Sequence, residues 1–327
     1  MSLKDDVLAA LLQNRGKNLS GQRLAESFGV SRAAVCKAVA SLKEDGHKIA
    51  SGPNRGYLLL PESDVLTPAA LLPHLQGCIG PGQLTVLPVC SSTNLCAKEL
   101  AMAGAPDKSV VLAERQTAGR GRRGHTFYSP PGGLYLSMVL RPRLSARQCT
   151  FLTLAAAVAV CRAAEEVCGV QPRIKWVNDV FFNGKKICGI LTEACADLEG
   201  GSLEYAVVGI GINVWLRREE LPEELRGVVG ALYEDFPGGD VRCRLAAALI
   251  RQLCLLTQAP AETLEEYRAR NFLPGRDVMV LNGARTGPAK ALSITDEGHL
   301  LVEFPDHTTL ALTAGEVSVK EQNGWTC

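Results

Sequence analysis

The stretch Glu114-Arg115-Gln116-Thr117-Ala118-Gly119-Arg120-Gly121-Arg122-Arg123-Gly124-His125 sets four arginines among three glycines. Guanidinium forks bind phosphate or carboxylate in a planar, two-pronged way. Glycine lets backbone approach a ligand closely. Little here can be buried, so the stretch reads as a surface loop suited to a reaction in which two anions meet. An Arg/Gly nucleic-acid loop or an exposed turn is the plainer alternative. A Walker phosphate loop is excluded, because no Gly-Lys-Ser/Thr follows.

Three further segments could do chemistry with it. Ser91-Ser92-Thr93-Asn94 brings hydroxyls and a carboxamide to the start of a helix, where they either cap it or face a small polar ligand. Lys175-Trp176-Val177-Asn178-Asp179 precedes Asn183-Gly184-Lys185-Lys186, a strong hairpin signal. Solvation suffices for Lys185, which leaves Lys186 as the candidate. Gly209-Ile210-Gly211-Ile212-Asn213-Val214 permits close backbone approach, with Asn213 able to read a polar edge. No Ser-His-Asp or Cys-His set is evident. None is needed if positioning and charge stabilisation carry the reaction.

The elements that must hold these groups follow from periodicity. Strands are expected over residues 86–89, 109–113, 133–140, 173–176, 180–182, 186–193 and 204–208. Helices are expected over 95–103, 145–168, 241–256 and 262–270. After residue 277 the pattern changes to short strands at 278–281, 289–294, 300–304, 309–313 and 316–319. Turns at Asn282-Gly283, Asp296-Glu297-Gly298 and Pro305-Asp306 separate them, which suggests a small SH3-like β-barrel.

The first sixty residues read differently. A helix over 3–12, a second over 21–28 capped by Ser20, a turn at Gly29-Val30 and a third over 32–45 capped by Ser31 describe a helix-turn-helix. Val35, Val39 and Leu42 line one face of the third helix. Residues 48–51 and 57–60 around Gly52-Pro53-Asn54-Arg55-Gly56 form a hairpin wing. Residues 1–60 hold nine Lys/Arg against five Asp/Glu, whereas the whole chain carries a net charge of +1. Nucleic acid is therefore a partner for the N-terminus alone, with Arg32, Lys37 and Arg55 expected to face DNA. Pro61-Glu62-Ser63-Asp64 and Thr67-Pro68 read as the exit linker.

The chain of 327 residues is too long for one ordinary core. No apolar run reaches the roughly 18 residues that span a membrane. Its 12 cysteines form no CxxC pair or zinc-like cluster. They read as reduced core thiols of a cytoplasmic protein. No metal site of protein ligands is expected.

Taken together, the four segments over residues 86–214 resemble the biotin protein ligase family. The flanking units resemble its bifunctional form, the biotin operon repressor. The resemblance implies an α+β protein in three parts: a winged helix-turn-helix (1–62), a mixed-sheet, class II synthetase-like catalytic domain (68–270) and the SH3-like terminal domain (271–322). It implies biotin contacts at Ser92, Thr93, Asn94, Gln116, Arg120, Gly121, Arg122 and Lys186. It implies ATP or adenylate contacts at Gly119, Arg122, Arg123, Gly124, Lys175, Asn178 and Asn213. Lys186 and Arg122 are the expected catalytic pair. Biotin and ATP would be substrates, with Mg2+ on the ATP oxygens. The partners would be a biotin carboxyl carrier protein (an acetyl-CoA carboxylase subunit or pyruvate carboxylase domain), operator DNA and a second copy in a ligand-promoted homodimer; no membrane is involved. Where the family usually has Arg, Trp and Pro, this chain has His125, Phe127 and Val177. Two other functions stay open: a lipoate or octanoyl ligase of the same fold, and a repressor that senses biotin without ligating it.

Overall fold

Each of the first three helices begins with a serine that satisfies an orphan amide. A computed structural model describes residues 2–52, 55–142, 144–145, 148–196, 202–281, 285–313, 317–321 and 324–326. In α1 (Leu3–Gln13) Ser2 and Asp5 form a reciprocal capping box. In α2 (Gly21–Phe28) and α3 (Arg32–Glu44) the Ser20 and Ser31 hydroxyls accept from Arg23 N and Ala34 N. Val7, Leu11, Val35, Val39 and Leu42 meet in one small core. β1 (Ile49–Gly52) and β2 (Gly56–Leu59) pair antiparallel as the expected wing. Leu19 adds a third rung, exchanging two 2.8 Å bonds with Tyr57. The Pro53-Asn54 part of the wing turn lies outside the described residues.

The segment read as linker opens α4 (Pro68–Leu71), because Thr67 caps it and Pro68 is tolerated in a first turn. The central sheet has seven strands. In chain order they are β3 (Leu84–Leu87), β4 (Val110–Ala113), β5 (Leu134–Leu140), β6 (Arg173–Lys175), β7 (Asp179–Phe182), β8 (Lys185–Ala196) and β9 (Leu203–Ile212). Their spatial order is β3-β4-β5-β9-β8-β7-β6, with β3 and β4 parallel and the other neighbours antiparallel, so the sheet is mixed.

Both faces are covered, and alternation along the strands shows by what. Val110, Leu112, Ala206 and Val208 join the large core that contains α6 (Thr150–Cys168) and α7 (Val241–Leu256). Val111, Val139 and Val207 point the other way, onto α5 (Thr93–Met102). α8 (Pro260–Arg270) leads into a six-stranded antiparallel sheet. Its strands are β10 (Asp277–Val280), β11 (Gly287–Ile294), β12 (Leu300–Glu303), β13 (Thr309–Leu312), β14 (Val317–Glu321) and β15 (Gly324–Thr326). β15 lies past residue 322, pairing with β14. The Trp176 indole donates to Gly298 O at 3.0 Å, tying this sheet to the central one.

A buried ion cluster ties in the N-terminal unit. Arg242, 4% exposed, donates to Asp64 Oδ2 at 2.5 Å and to Glu114 Oε2 at 2.6 Å. Leu66 N donates to the other Glu114 oxygen at 2.6 Å.

Several expected boundaries move for identifiable reasons. β3 ends at Leu87 because Pro88 has no N–H to give a ladder. α6 starts at Thr150, since Ser145 bonds Gln148 locally and bridges to Ser202 instead. The Gly209-Ile210-Gly211-Ile212 segment, expected to follow a strand, lies inside β9. The Asn282-Gly283 turn lies outside the described residues.

Candidate functional site

Along the α5 side of the sheet, the helix stops short and glycines take over. Ser137, Gly209 and Leu191 stand in one cross-strand row, and Tyr135, Gly211 and Gly189 in the next. The missing Cβ atoms let Asn94 and Phe127 come down onto the sheet beside a slot. A Cβ on Gly209 would lie 1.9 Å from Asn94 Oδ1, and one on Gly211 would lie 2.3 Å from the Phe127 ring. Phe127 thus lies flat against backbone, with its edge toward Tyr135. The slot widens into a cavity of 460 Å³.

One end of the cavity is a chain of buried polar groups. Thr93 N donates to Gln116 Oε1 at 2.7 Å, and Gln116 Nε2 donates to Ser129 Oγ at 2.8 Å. The Ser129 hydroxyl donates to Phe127 O at 2.9 Å. On the other side the Ser137 hydroxyl lies 2.8 Å from Thr93 Oγ1 and 2.6 Å from Asn94 Oδ1. Asn94 Nδ2 donates to Leu191 O at 3.2 Å and to Glu193 Oε2 at 2.8 Å. Lys98 holds the second Glu193 oxygen at 2.5 Å. Burial raises the Glu193 pKa, but the bonds from Lys98 and Asn94 outweigh it, so the carboxyl stays below its ordinary range. Ser92 is the N-cap of α5, yet its hydroxyl makes no capping bond. Capping therefore does not account for the Ser92 hydroxyl.

The other end is cationic. Lys186 pairs with Asp179 at 2.7 Å, from adjacent strands β8 and β7. Arg122 donates to Asn178 Oδ1 at 3.2 Å, and Asn178 Nδ2 donates to Ile190 O at 3.0 Å. Lys175 is only 6% exposed and lies 5.8 Å over the Phe181 ring. Asn213 Nδ2 donates to Gly230 O at 3.0 Å. The Arg/Gly loop folds on itself as a short hairpin. Gly121 N donates to His125 O at 2.7 Å, and Phe127 N to Gly119 O at 2.9 Å. Arg120, Arg123 and His125 stand exposed on it.

Of the expected site residues, Ser92, Thr93, Asn94, Gln116, Arg120, Gly121, Arg122, Arg123, Lys175, Asn178, Lys186 and Asn213 all line this one cavity. Gly119 and Gly124 do not. Gly119 is buried behind Phe127 O and Ser129, and Gly124 is exposed at the loop tip with a φ of +81°. Arg32 and Lys37 share the exposed side of α3, and Arg55 is exposed at the wing. Ser129, Ser137, Glu193 and Lys98 were not expected here. Sheet register reveals Ser137 and Glu193, and the Asn94–Glu193 bond joins residues 99 apart.

The cavity joins a hydrogen-bonding end for a small neutral group to a cationic end for anions. Among the described residues it contains a single carboxylate, that of Asp179. Every described cysteine is a free thiol. Among the described residues, no helix is long and apolar enough to cross a membrane.

Comparison with known proteins gives a consistent picture. The biotin/lipoate A/B protein ligase family matches residues 86–213, and a helix-turn-helix domain family matches residues 4–58. The bifunctional ligase/repressor BirA of Bacillus subtilis is 34% identical over 92% of this chain and 94% of its own length. That of Escherichia coli is 33% identical over 96% of both chains. Among solved structures, the biotin protein ligase of Aquifex aeolicus in complex with biotin and ATP superposes with a TM-score of 0.60 at 27% identity. That match covers 73% of this chain and 99% of the other.

Proposed function

The chain belongs to the biotin protein ligase family, in the form with a helix-turn-helix domain ahead of the ligase domain; from that premise we propose how its residues divide the work. The protein activates biotin with ATP, forming biotinoyl-5'-AMP and pyrophosphate. It then passes biotin to a lysine of a carboxylase carrier protein, and it acts as a repressor through its helix-turn-helix domain. The observation that carries this reading is the meeting of four sequence-distant motifs around one cavity, polar and neutral at one end and cationic at the other.

Attack of the biotin carboxylate on the α-phosphate brings two anions together, so the barrier is largely electrostatic. Biotin lies in the cavity, its ring at the Ser92, Thr93 and Gln116 end. Its carboxylate meets Lys186, which exchanges Asp179 for the new anion. Arg122 holds the α-phosphate and then the adenylate, with Arg120, Gly121 and Arg123 closing over it and Gly119 and Gly124 giving the loop its shape. Lys175, Asn178 and Asn213 form the nucleotide wall. Closure shields the mixed anhydride from water. Mg2+ would accompany the ATP oxygens, and Asp179, the one carboxylate among the described residues lining the cavity, would be the side chain to share it. When bound, the ion draws charge from the phosphates.

Units 1–62, 68–270 and 271–322 act as DNA-binding, catalytic and terminal domains of a cytoplasmic protein. Arg32, Lys37 and Arg55 contact operator phosphates or bases. Removing one phosphate contact lowers the log–log salt slope of DNA binding by about 1. The adenylate-bound core pairs with a second copy, which sets two wings on a two-fold operator. Sedimentation that shows a monomer with biotin plus ATP, at concentrations where DNA is bound, would exclude ligand-driven pairing.

The deciding experiment is ATP–pyrophosphate exchange with biotin, with lipoate and with neither. Exchange that depends on biotin alone is expected. Exchange with lipoate would move the substrate. Biotin binding without exchange would leave a sensor-only repressor and make His125 the position to revert to Arg.

A further inference from the structure

The polar chain at the neutral end of the cavity has a direction, and one ion pair outside the cavity sets it. Glu193 is a carboxylate and can only accept. Asn94 must therefore turn its N–H groups toward Glu193 and Leu191 O, at 2.8 and 3.2 Å. That leaves Asn94 Oδ1 as the acceptor facing Ser137 at 2.6 Å. The single Ser137 hydrogen is used there. In the 2.8 Å contact between Ser137 and Thr93, Ser137 can then only accept. The Thr93 hydrogen goes to Ser137 or to Gln116 Oε1, 3.1 Å away. Gln116 is oriented independently, because its Oε1 takes Thr93 N and its Nε2 donates to Ser129. Either way Thr93 has no hydrogen left for a ligand and offers only lone pairs.

We infer that Glu193, held by Lys98, is a positioning residue that, through Asn94, turns the Ser137 hydrogen away from Thr93, keeps the Thr93 lone pairs open and so favours a ligand presenting an N–H donor at the start of α5. Resting on the biotin reading above, this assigns the choice of a cyclic urea over a ligand of similar length without N–H groups. A disulfide ring or a plain acyl chain would leave Thr93 buried and unpaired, which costs far more than a lost methylene contact.

Glu193→Gln tests the direction while keeping the shape. Glutamine offers one acceptor oxygen to two donors, Lys98 Nζ and Asn94 Nδ2. The ammonium takes it, because its bond is charge-assisted. The amide nitrogen of the substituted side chain then faces Asn94 and turns the Asn94 carboxamide over, so Ser137 donates to Thr93 and occupies one of its two lone pairs. Biotin-dependent exchange should show KM for biotin raised about tenfold to a hundredfold, as for an unsatisfied buried polar group, with kcat and the KM for ATP nearly unchanged. Lys98→Met alone leaves the direction intact and should shift KM by no more than about threefold, as for a partly exposed ion pair. A double variant that combines Glu193→Gln with Lys98→Met frees the glutamine oxygen for Asn94 and should recover most of the loss. A KM that stays raised in the double variant would overturn the inference, and so would an unchanged KM in Glu193→Gln. The double variant answers the question even where the single one fails to fold. Absence of biotin-dependent exchange in the wild-type chain would remove the biotin reading and this inference with it. Normal wild-type exchange with no rescue removes this inference alone.

Discussion

The two ends of the cavity are built on opposite plans. At the neutral end, Thr93, Asn94, Gln116, Ser129 and Ser137 are bonded to one another across α5, β5, β8 and the loop after β4. These bonds hold them in place without a ligand. At the cationic end, Arg120, Arg123 and His125 project from a hairpin whose described bonds are largely its own, with exposed side chains. Recognition of a neutral ring benefits from donors and acceptors already in place. Capture of a phosphate that must first enter benefits from a loop that closes afterwards. Under the proposed function, the difference assigns specificity and rate to different parts of the same cavity.

The sharpest way to break this division is at its boundary. Arg122 and Lys186 are the proposed catalytic cations, one on the loop and one on β8. Arg122→Ala and Lys186→Ala should each cost about 2–4 kcal/mol of transition-state stabilisation, as expected for a lost electrostatic donor. Single-turnover formation of biotinoyl-5'-AMP measures this. A near wild-type rate in either variant would take that residue out of the mechanism.

A smaller effect separates the rigid end from the closing one. Gly209→Ala sets a Cβ 1.9 Å from Asn94 Oδ1, with backbone on one side and the Asn94–Glu193 bonds on the other. Overpacking of this kind costs about 1–3 kcal/mol, and biotin affinity should fall with it. Gly124→Ala meets nothing within 4 Å, and only its φ of +81° carries a penalty. That penalty is about 1 kcal/mol. It should leave the KM for biotin unchanged and raise that for ATP. Thermal unfolding and the two KM values decide the matter. Equal loss of biotin affinity in both variants would mean the two ends are not separate.

How far the chain is legible follows the same divide. The winged unit, the Asn183-Gly184 hairpin and the four motif segments are readable because caps, turns and alternation act over a few residues. Arg122 and Lys186 stand out because charge among glycines is conspicuous. Ser137 and Glu193 are not readable. Each is an ordinary member of a strand until β5, β9 and β8 align them opposite Gly209 and Val207. The helix expected to begin at residue 145 fails at its start because local side-chain bonds compete with it, which periodicity does not register. The Arg242 cluster is likewise invisible, joining residues 178 apart.

The smallest predicted effect is on pH, and it tests whether the neutral end depends on a charge at all. Glu193 titrates below its ordinary value of 4.5, because the bonds from Lys98 and Asn94 outweigh burial. A carboxyl with a depressed folded pKa contributes stability above its unfolded value and loses it as pH falls through the folded one. The contribution is therefore complete at neutral pH and fades only below 4.5. Affinity for an uncharged biotin amide, which has no carboxyl of its own to protonate, should accordingly be flat from about pH 8 to about pH 5, where the other lining groups of this end do not titrate, and should fall below that. In Glu193→Gln the acid-side fall should disappear from an already weaker baseline. Titration of biotin amide binding by calorimetry at a series of pH values reads both. A fall of equal size and midpoint in the variant would place the titrating group elsewhere and leave Glu193 a packing residue. A fall present only in the wild type ties the selectivity of the rigid end to one carboxylate outside the slot.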